Sequence, residues 1–419
     1  MEYSINTLDD FNYKGKVTLC RLDLNSPYDR DKNVLKDTAR IEAAIPTIKE
    51  LSDKGAKLVL LSHQGGDLEY ENYVSTKLHS VVLSNLLGKA VQFIDDVCGP
   101  AARDAISNLA EGEILLLDNV RYMAEELTLF EAKLKLSAAA QAKTLIVSKL
   151  APLANLYVCD AFAAAHRDQP TLVGFEQLLP SAMGRLFEKE YGVLSKIMSS
   201  PGKPSIFLLG GAKIEDAFDM MPTVLSTDTA DKILLTGLLA QVFLLAKGIE
   251  LGSHSKDIIY AKKLDIFIEK AKDLLSNFNK KIILPSDFAY SDKGRTEVDV
   301  SSLPLLNFAI SDIGSKTIKL YEEELSAAKT IFVNGPAGVF EKLDTELGTK
   351  ELWSYIAKSL AFSVIGGGDS ITAVNKYNLA SSFSYICTGG GAMVRFLSGE
   401  ELPVVKALKE SANKFKEKS

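Results

Sequence analysis

TIFVNGPAGVFE, residues 330–341, is the stretch whose reading settles the rest of the chain. Thr330 to Val333 are apolar or β-branched, and the run stops abruptly at Asn334, Gly335 and Pro336 instead of alternating with polar residues. A short unbroken apolar run closed by turn residues reads as a strand buried on both faces, the kind found in parallel sheets. Two later runs repeat it, FSVIGGGD (362–369) and SYICTGGG (384–391), and three precede it, SIFLLGG (205–211), KILLTG (232–237) and KIILPSD (281–287). Amphipathic stretches lie between them, so the rhythm is βαβα, which calls for an α/β fold with a doubly wound parallel sheet.

The same rhythm runs through the first half as VTLCRLDLN (17–25), KLVLLSH (57–63), VQFI (91–94), EILLLDN (113–119) and LYVCDAF (156–162). Helical patterns such as Thr38–Lys54 and Glu125–Ala142 separate these runs. A chain of 419 residues is too long for one ordinary core and suits two. Proline and glycine enter over Gln169–Pro180, ahead of a helix-like Ser181–Ser199, and mark a hinge there. The expectation is two Rossmann-like parallel-sheet domains joined by a hinge helix. Residues 1–175, with a C-terminal tail from about 402 to 419, form one, and residues 176–401 the other.

A formal net charge of −6 argues against a nucleic-acid or membrane-surface binder, because such proteins carry a basic field over a whole face. Any anion site must therefore be local, and small molecules are the expected partners. Cys20, Cys98, Cys159 and Cys387 stand far apart, three of them inside apolar runs, which gives neither a disulfide framework nor a zinc spacing. They read as core thiols of a reducing cytoplasm. The amino terminus lacks a basic patch followed by an apolar core, and the most apolar stretch, Leu234–Ile249, is interrupted by Thr236, Gly237, Gln241 and Lys247. Neither a signal peptide nor a membrane span is expected. A monomer is the expected state, with a dimer left open.

In doubly wound folds ligands gather beyond the carboxyl ends of the strands, so the residues that close each run carry the functional reading. The first-half endings are Arg21, Asp23 and Asn25, then His63, then Asn119 and Arg121, then Asp160, His166 and Arg167, while Arg40 opens a helix. Only nine of the 48 basic residues are arginine, so four at such places is a concentration of the side chain suited to bidentate capture of carboxylate and phosphate. A surface ion pair accounts for any one of them alone; their shared position favours a site. The second-half endings carry glycine instead, as Gly210-Gly211-Ala212-Lys213, Gly366-Gly367-Gly368-Asp369-Ser370 and Thr388-Gly389-Gly390-Gly391-Ala392. One such cluster can serve backbone geometry alone, but three suggest peptide N–H groups offered to an anion at helix starts. Ile371 and Val394 stand where G-x-G-x-x-G requires its third glycine, and no G-x-x-x-x-G-K-[ST] occurs. Asp369 after its glycine turn is either a helix cap or a carboxylate for Mg²⁺ on a nucleotide.

Taken together, nine segments resemble phosphoglycerate kinase: RLDLNSP (21–27), RIEAAIPTI (40–48), LSHQGG (61–66), LLDNVRY (116–122), DAFAAAHR (160–167), LGGAK (209–213), VNGPAGVFE (333–341), GGGDS (366–370) and TGGGA (388–392). Order and spacing match throughout, so the resemblance covers nearly the whole chain. DAFAAAHRDQPTLVGF (160–175) and LLAQVFLLAKG (238–248) are similar to the archaeal members. The resemblance implies reversible phosphoryl transfer between 1,3-bisphosphoglycerate and ADP, giving 3-phosphoglycerate and ATP, with Mg²⁺ on the nucleotide. It implies that Asp23, Leu24, Asn25, Arg40, His63, Gln64, Gly65, Gly66, Arg121 and Arg167 bind the acid, with Arg21 supporting them, in the first domain. Lys213, Gly237, Asn334, Pro336, Glu341, Gly366, Gly367, Gly368, Asp369 and Ser370 then bind the nucleotide, Asp369 meeting the metal. Arg40, Lys213, Gly367 and Gly390 are implied to act on the transferring group.

The chain departs from the family's pattern at three places. Gly66 stands where many members carry an arginine, Ala217 where bacterial and eukaryotic members carry a second lysine, and Leu238 where a second glycine often borders the adenine. Two other readings are weighed against this one. A dinucleotide oxidoreductase is disfavoured by the missing fingerprint, and a thermal shift with NAD or ATP separates it. A non-catalytic nucleotide-binding relative is separated by turnover of 3-phosphoglycerate with MgATP.

Overall fold

The computed structural model describes residues 4–66 and 73–416. They divide into two compact units, one built from residues up to 192 with the segment from 401 onward, the other from 193–400.

The first unit holds a six-stranded sheet made of β1 (Val17–Leu22), β2 (Lys57–Ser62), β3 (Val91–Ile94), β4 (Ile114–Leu117), β5 (Leu156–Cys159) and β6 (Ser181–Met183). The order is β3-β4-β2-β1-β5-β6, and every pair is parallel. Leu19, Cys20, Leu58, Leu60, Ile114, Leu116 and Val158 are buried, as continuous apolar strands covered on both faces require. The winding direction reverses between β1 and β5, where Arg21 pairs with Cys159, so a crevice is expected above that pair. The carboxyl-terminal helix Pro403–Lys414 returns to this unit, Val404 N donating to Ala165 O and Ser411 Oγ to Leu179 O at 3.1 Å.

The second unit carries β7 (Ser205–Leu209), β8 (Lys232–Leu235), β9 (Ile282–Ile283), β10 (Thr330–Asn334), β11 (Phe362–Gly366) and β12 (Tyr385–Cys387) in the order β9-β8-β7-β10-β11-β12, again all parallel. This is the Rossmann order, with its reversal between β7 and β10. Asn334 stands in register with both Leu209 and Gly366, so the glycine turns after β7, β10 and β11 emerge side by side.

Three details differ from the sequence reading. The division falls inside the helix Arg185–Ser199 and not at 175/176, because Ser181–Met183 adds a strand beside β5 before that helix begins. The segment Glu125–Ala142 is a 3₁₀ turn and two short helices, interrupted at Lys135, whose φ is 45°. Of KIILPSD only Ile282–Ile283 joins the main sheet. Asp287–Ser291 instead pairs antiparallel with Arg295–Asp299 and Asp312–Ile313, the hairpin turning through Lys293 and Gly294 at positive φ. All four cysteines are buried and unbridged, as expected. Among the described residues no helix is long and apolar enough to cross a membrane.

Candidate functional site

In the first unit the strand endings converge on His63. Arg21 is buried, its Nε donating to Thr171 Oγ1 at 2.9 Å, one Nη to the Leu22 carbonyl and the other to His63 Nδ1 at 3.1 Å. A guanidinium only donates, so Nδ1 accepts and the ring proton sits on Nε2, 4.0 Å from Asp23 Oδ1. Burial holds this imidazole well below its ordinary range, and the positive charges of Arg21, Arg121, Arg167 and Arg40 push it further down. Four guanidiniums acting on one neutral ring is the concentration of positive charge that the sequence positions implied. Arg40 pairs with Asp23 at 2.7 Å and leaves its side chain 46% exposed, whereas Arg121 is buried.

The loops that carry these groups are tied to one another. Asn25 Oδ1 accepts from Gly65 N at 3.0 Å, Asp23 Oδ1 accepts from Asn25 N at 3.1 Å, and the Arg121 guanidinium donates to the Gly65 carbonyl. Leu24 has its side chain in the core and its amide on Ser62 Oγ at 3.0 Å, and Gln64 is buried with its amide bonded to Ser26, so both shape the loop from within. Gly66 and His166 are half-buried.

Asp160, at the end of β5, holds the start of the helix Arg185–Ser199 by accepting from Phe187 N at 3.0 Å. Burial pushes its carboxyl up to about 7, against hydrogen bonds from Phe187 and Thr47 that pull it down. The folded protein therefore keeps a proton that the unfolded chain releases near the usual carboxylate range, and protein stability falls through this group as pH climbs from about 4 to about 7. Asp160→Asn keeps the acceptor but does not titrate. Urea unfolding at several pH values is expected to show the stability of the variant rising relative to wild type across that window; a variant that loses ground to wild type as pH rises, or a difference that does not move with pH, contradicts the assignment.

In the second unit a cavity of about 310 Å³ opens at the reversal between β7 and β10. Gly211, Gly237, Pro336, Glu341 and Asp369 line it, as the sequence suggested, and so do Ile258, Phe288 and Ile310, which it did not. Those three come from a helix, the antiparallel hairpin and a loop, and no local pattern distinguishes them from core residues. Gly237 has φ +58°, and a Cβ there would stand 2.7 Å from Gly211 N, so the turns after β7 and β8 pack backbone against backbone. Gly211 N donates to Pro336 O at 2.8 Å and Gly237 N to Ala337 O at 3.0 Å, which closes the floor. Leu238, the departure from the glycine pattern, lies in the wall.

Beside the cavity, Gly335 N donates to Ser370 Oγ at 2.8 Å, and Gly367 with φ +91° leaves only 2.4 Å between a Cβ and Asn334 Oδ1. Asn334, Gly367 and Ser370 thus form one unit with the start of the helix Gly368–Lys376, on which Asp369 is exposed. Lys213 is exposed at the start of the helix Ile214–Ser226, and Ala217 is buried within that helix. Gly390, at φ +51°, precedes the helix Gly391–Leu397, whose Met393 packs against Gly366.

Comparison with known proteins agrees with this geometry. Residues 8–400 match the family described as phosphoglycerate kinase. The phosphoglycerate kinase of Methanothermus fervidus is 44% identical over 410 residues, 98% of each chain, and that of Thermococcus kodakarensis 43% identical over 415 residues, again 98% of each. The crystal structure of phosphoglycerate kinase from Pyrococcus horikoshii superposes with a TM-score of 0.88 at 42% identity, covering 98% of this chain and all of that one. The structure from Coxiella burnetii gives 0.81 at 29% identity over 97% of this chain. With the family matched over residues 8–400, archaeal relatives at 43–44% identity over 98% of the chain and the same two α/β units in solved structures, the chain belongs to the phosphoglycerate kinase family of phosphotransferases.

Proposed function

We propose that the protein catalyses reversible phosphoryl transfer between 1,3-bisphosphoglycerate and MgADP, giving 3-phosphoglycerate and MgATP, in glycolysis. The observation that carries this reading is the pairing of a four-arginine set around one neutral imidazole in one unit with a glycine-floored cavity in the other. Arg121 suits the fixed carboxylate or phosphate of the acid, and buried Arg21, bonded to Thr171, the Leu22 carbonyl and His63, supports the set from beneath. Half-exposed Arg40 and exposed Lys213 suit the phosphoryl group that moves.

Transfer through a loose transition state asks for in-line placement and charge on the equatorial oxygens and little covalent help. Arg40, Lys213 and the peptide N–H groups at the starts of Gly368–Lys376 and Gly391–Leu397 supply that charge. Holding donor and acceptor on separate units also calls for closure that excludes water from the acyl phosphate. Among the described residues no three His, Cys, Asp or Glu side chains cluster as a metal cage. Exposed Asp369 on the cavity wall therefore fits Mg²⁺, which takes few protein carboxylates and keeps phosphate and water oxygens, and which would neutralise charge on the β- and γ-phosphates. Asp369→Ala is expected to lower kcat while leaving affinity for metal-free ADP near wild type. Full activity at ordinary Mg²⁺ would reduce Asp369 to an acidic residue of the helix's first turn, where it favours the positive end of the helix without capping it.

Calorimetry tests the two-site reading. MgADP and 3-phosphoglycerate are each expected to bind at one site, and saturation with either should leave the site for the other available. Competition between them contradicts the assignment of separate units.

A further inference from the structure

The acid-binding loops rest on a buried polar network whose outermost member is His79, in the helix Lys77–Leu87. Gln64 and Ser26 bond twice, Gln64 Nε2 donating to Ser26 O at 2.8 Å and Ser26 N to Gln64 Oε1 at 3.0 Å. That pair fixes which end of the Gln64 amide is oxygen. His79 Nε2 lies 3.0 Å from the same Oε1 and must be the donor. Burial supports this, because it pushes the ring down to about 4 and keeps it neutral at physiological pH.

Gln64 continues the chain through its backbone. Its N–H donates to Asn119 Oδ1 at 3.0 Å, and its carbonyl accepts from Asn119 Nδ2 at 2.9 Å. Asn119 Oδ1 also takes the Arg121 N–H at 3.0 Å. The endings of β1, β2 and β4, three adjacent strands, are thus locked together through Gln64, by its side-chain amide to Ser26 and by its backbone to the Asn119 carboxamide. Asn25 lies next to Ser26, Gly65 next to Gln64, and Arg121 two residues past Asn119. None of these network bonds touches the cavity of the other unit.

We infer that His79 is a positioning residue for the acid site: its Nε2–H orients the Gln64 amide, and through it sets the spacing of Asn25, Gly65 and Arg121. The inference rests on the reading of this cluster as the 3-phosphoglycerate site. His79 enters this network through Nε2, its Nδ1 having no hydrogen-bond partner among the described residues, and loss of that donor leaves Oε1 with Ser26 N alone and the loops freer to separate. The cost should fall on binding of the acid and leave the nucleotide alone.

The test compares three variants in steady-state turnover with 3-phosphoglycerate and MgATP. His79→Phe fills the space without the donor and is expected to raise KM for 3-phosphoglycerate about tenfold, with KM for MgATP and kcat within about twofold of wild type. His79→Gln places an amide N–H where the imidazole Nε2 stood, and is expected to restore KM. His79→Asn stays polar but falls short of Gln64, and should behave like His79→Phe, which keeps the test decisive if the phenylalanine variant does not fold. Equal rises in both KM values, unchanged KM in His79→Asn, or no rescue by His79→Gln each overturn the inference. Wild-type protein that does not turn over 3-phosphoglycerate at all would instead remove the reading on which it rests.

Discussion

Lys213→Ala is expected to lose on the order of 10² to 10³ in kcat, about 3 to 4 kcal/mol, with modest change in either KM. Lys213 is exposed at a helix start, beside Gly210 and Gly211, whose N–H groups already bond to Asn334 and Pro336. With Ala217 buried in place of a second lysine, it is the only lysine of this turn that can meet charge developing on the transferred group. A lysine of purely structural importance would show the opposite pattern, a lower melting temperature with turnover preserved. Both quantities are read on one variant. A stable protein with kcat within a few-fold of wild type moves the search to Arg40 and to the peptide donors of Gly389–Gly391.

Arg121→Ala is expected to weaken 3-phosphoglycerate by about 1.5 to 3 kcal/mol, roughly ten- to a hundredfold in Kd, while MgADP affinity stays near wild type. The guanidinium is buried, reaches the Gly65 carbonyl, and is one of the four charges that depress His63. Its removal therefore takes away the proposed anion partner and a clamp on the Gly65 turn together, both within the first unit. Calorimetry with each ligand separates the cases, and equal loss for both contradicts the placement of the acid.

The strand endings were legible in the sequence because an apolar run that stops at a charge or a glycine marks the same edge of a parallel sheet each time. Arg21, His63 and Arg121 were found in this way, and so were Gly211, Gly237 and Asp369. His79 was not, since a polar residue within an amphipathic helix carries no sign that its ring faces Gln64; only the packing of that helix against the helix Ala39–Asp53 and β3 brings them within 3.0 Å. Phe288 and Ile310 were missed for the converse reason, being apolar residues that read as core until the hairpin Asp287–Asp299 brings them to a cavity wall. Ser181–Met183 escaped notice as a strand because three residues give no period, and its pairing with β5 moved the unit boundary. Spacing along the chain thus reported at which edge of each sheet these residues gather, while contacts made by helices and loops at long sequence separation decided what supports them.

Turnover by the purified full chain, with 3-phosphoglycerate and MgATP supplied and the acyl phosphate drawn off by glyceraldehyde-3-phosphate dehydrogenase and NADH, tests the proposed transfer most directly. Oxidation of NADH that requires both substrates, saturates in each and stops when Mg²⁺ is chelated from the nucleotide is the expected result. Binding of both ligands without NADH oxidation would contradict it and leave a protein that holds a nucleotide and an acid but transfers nothing between them.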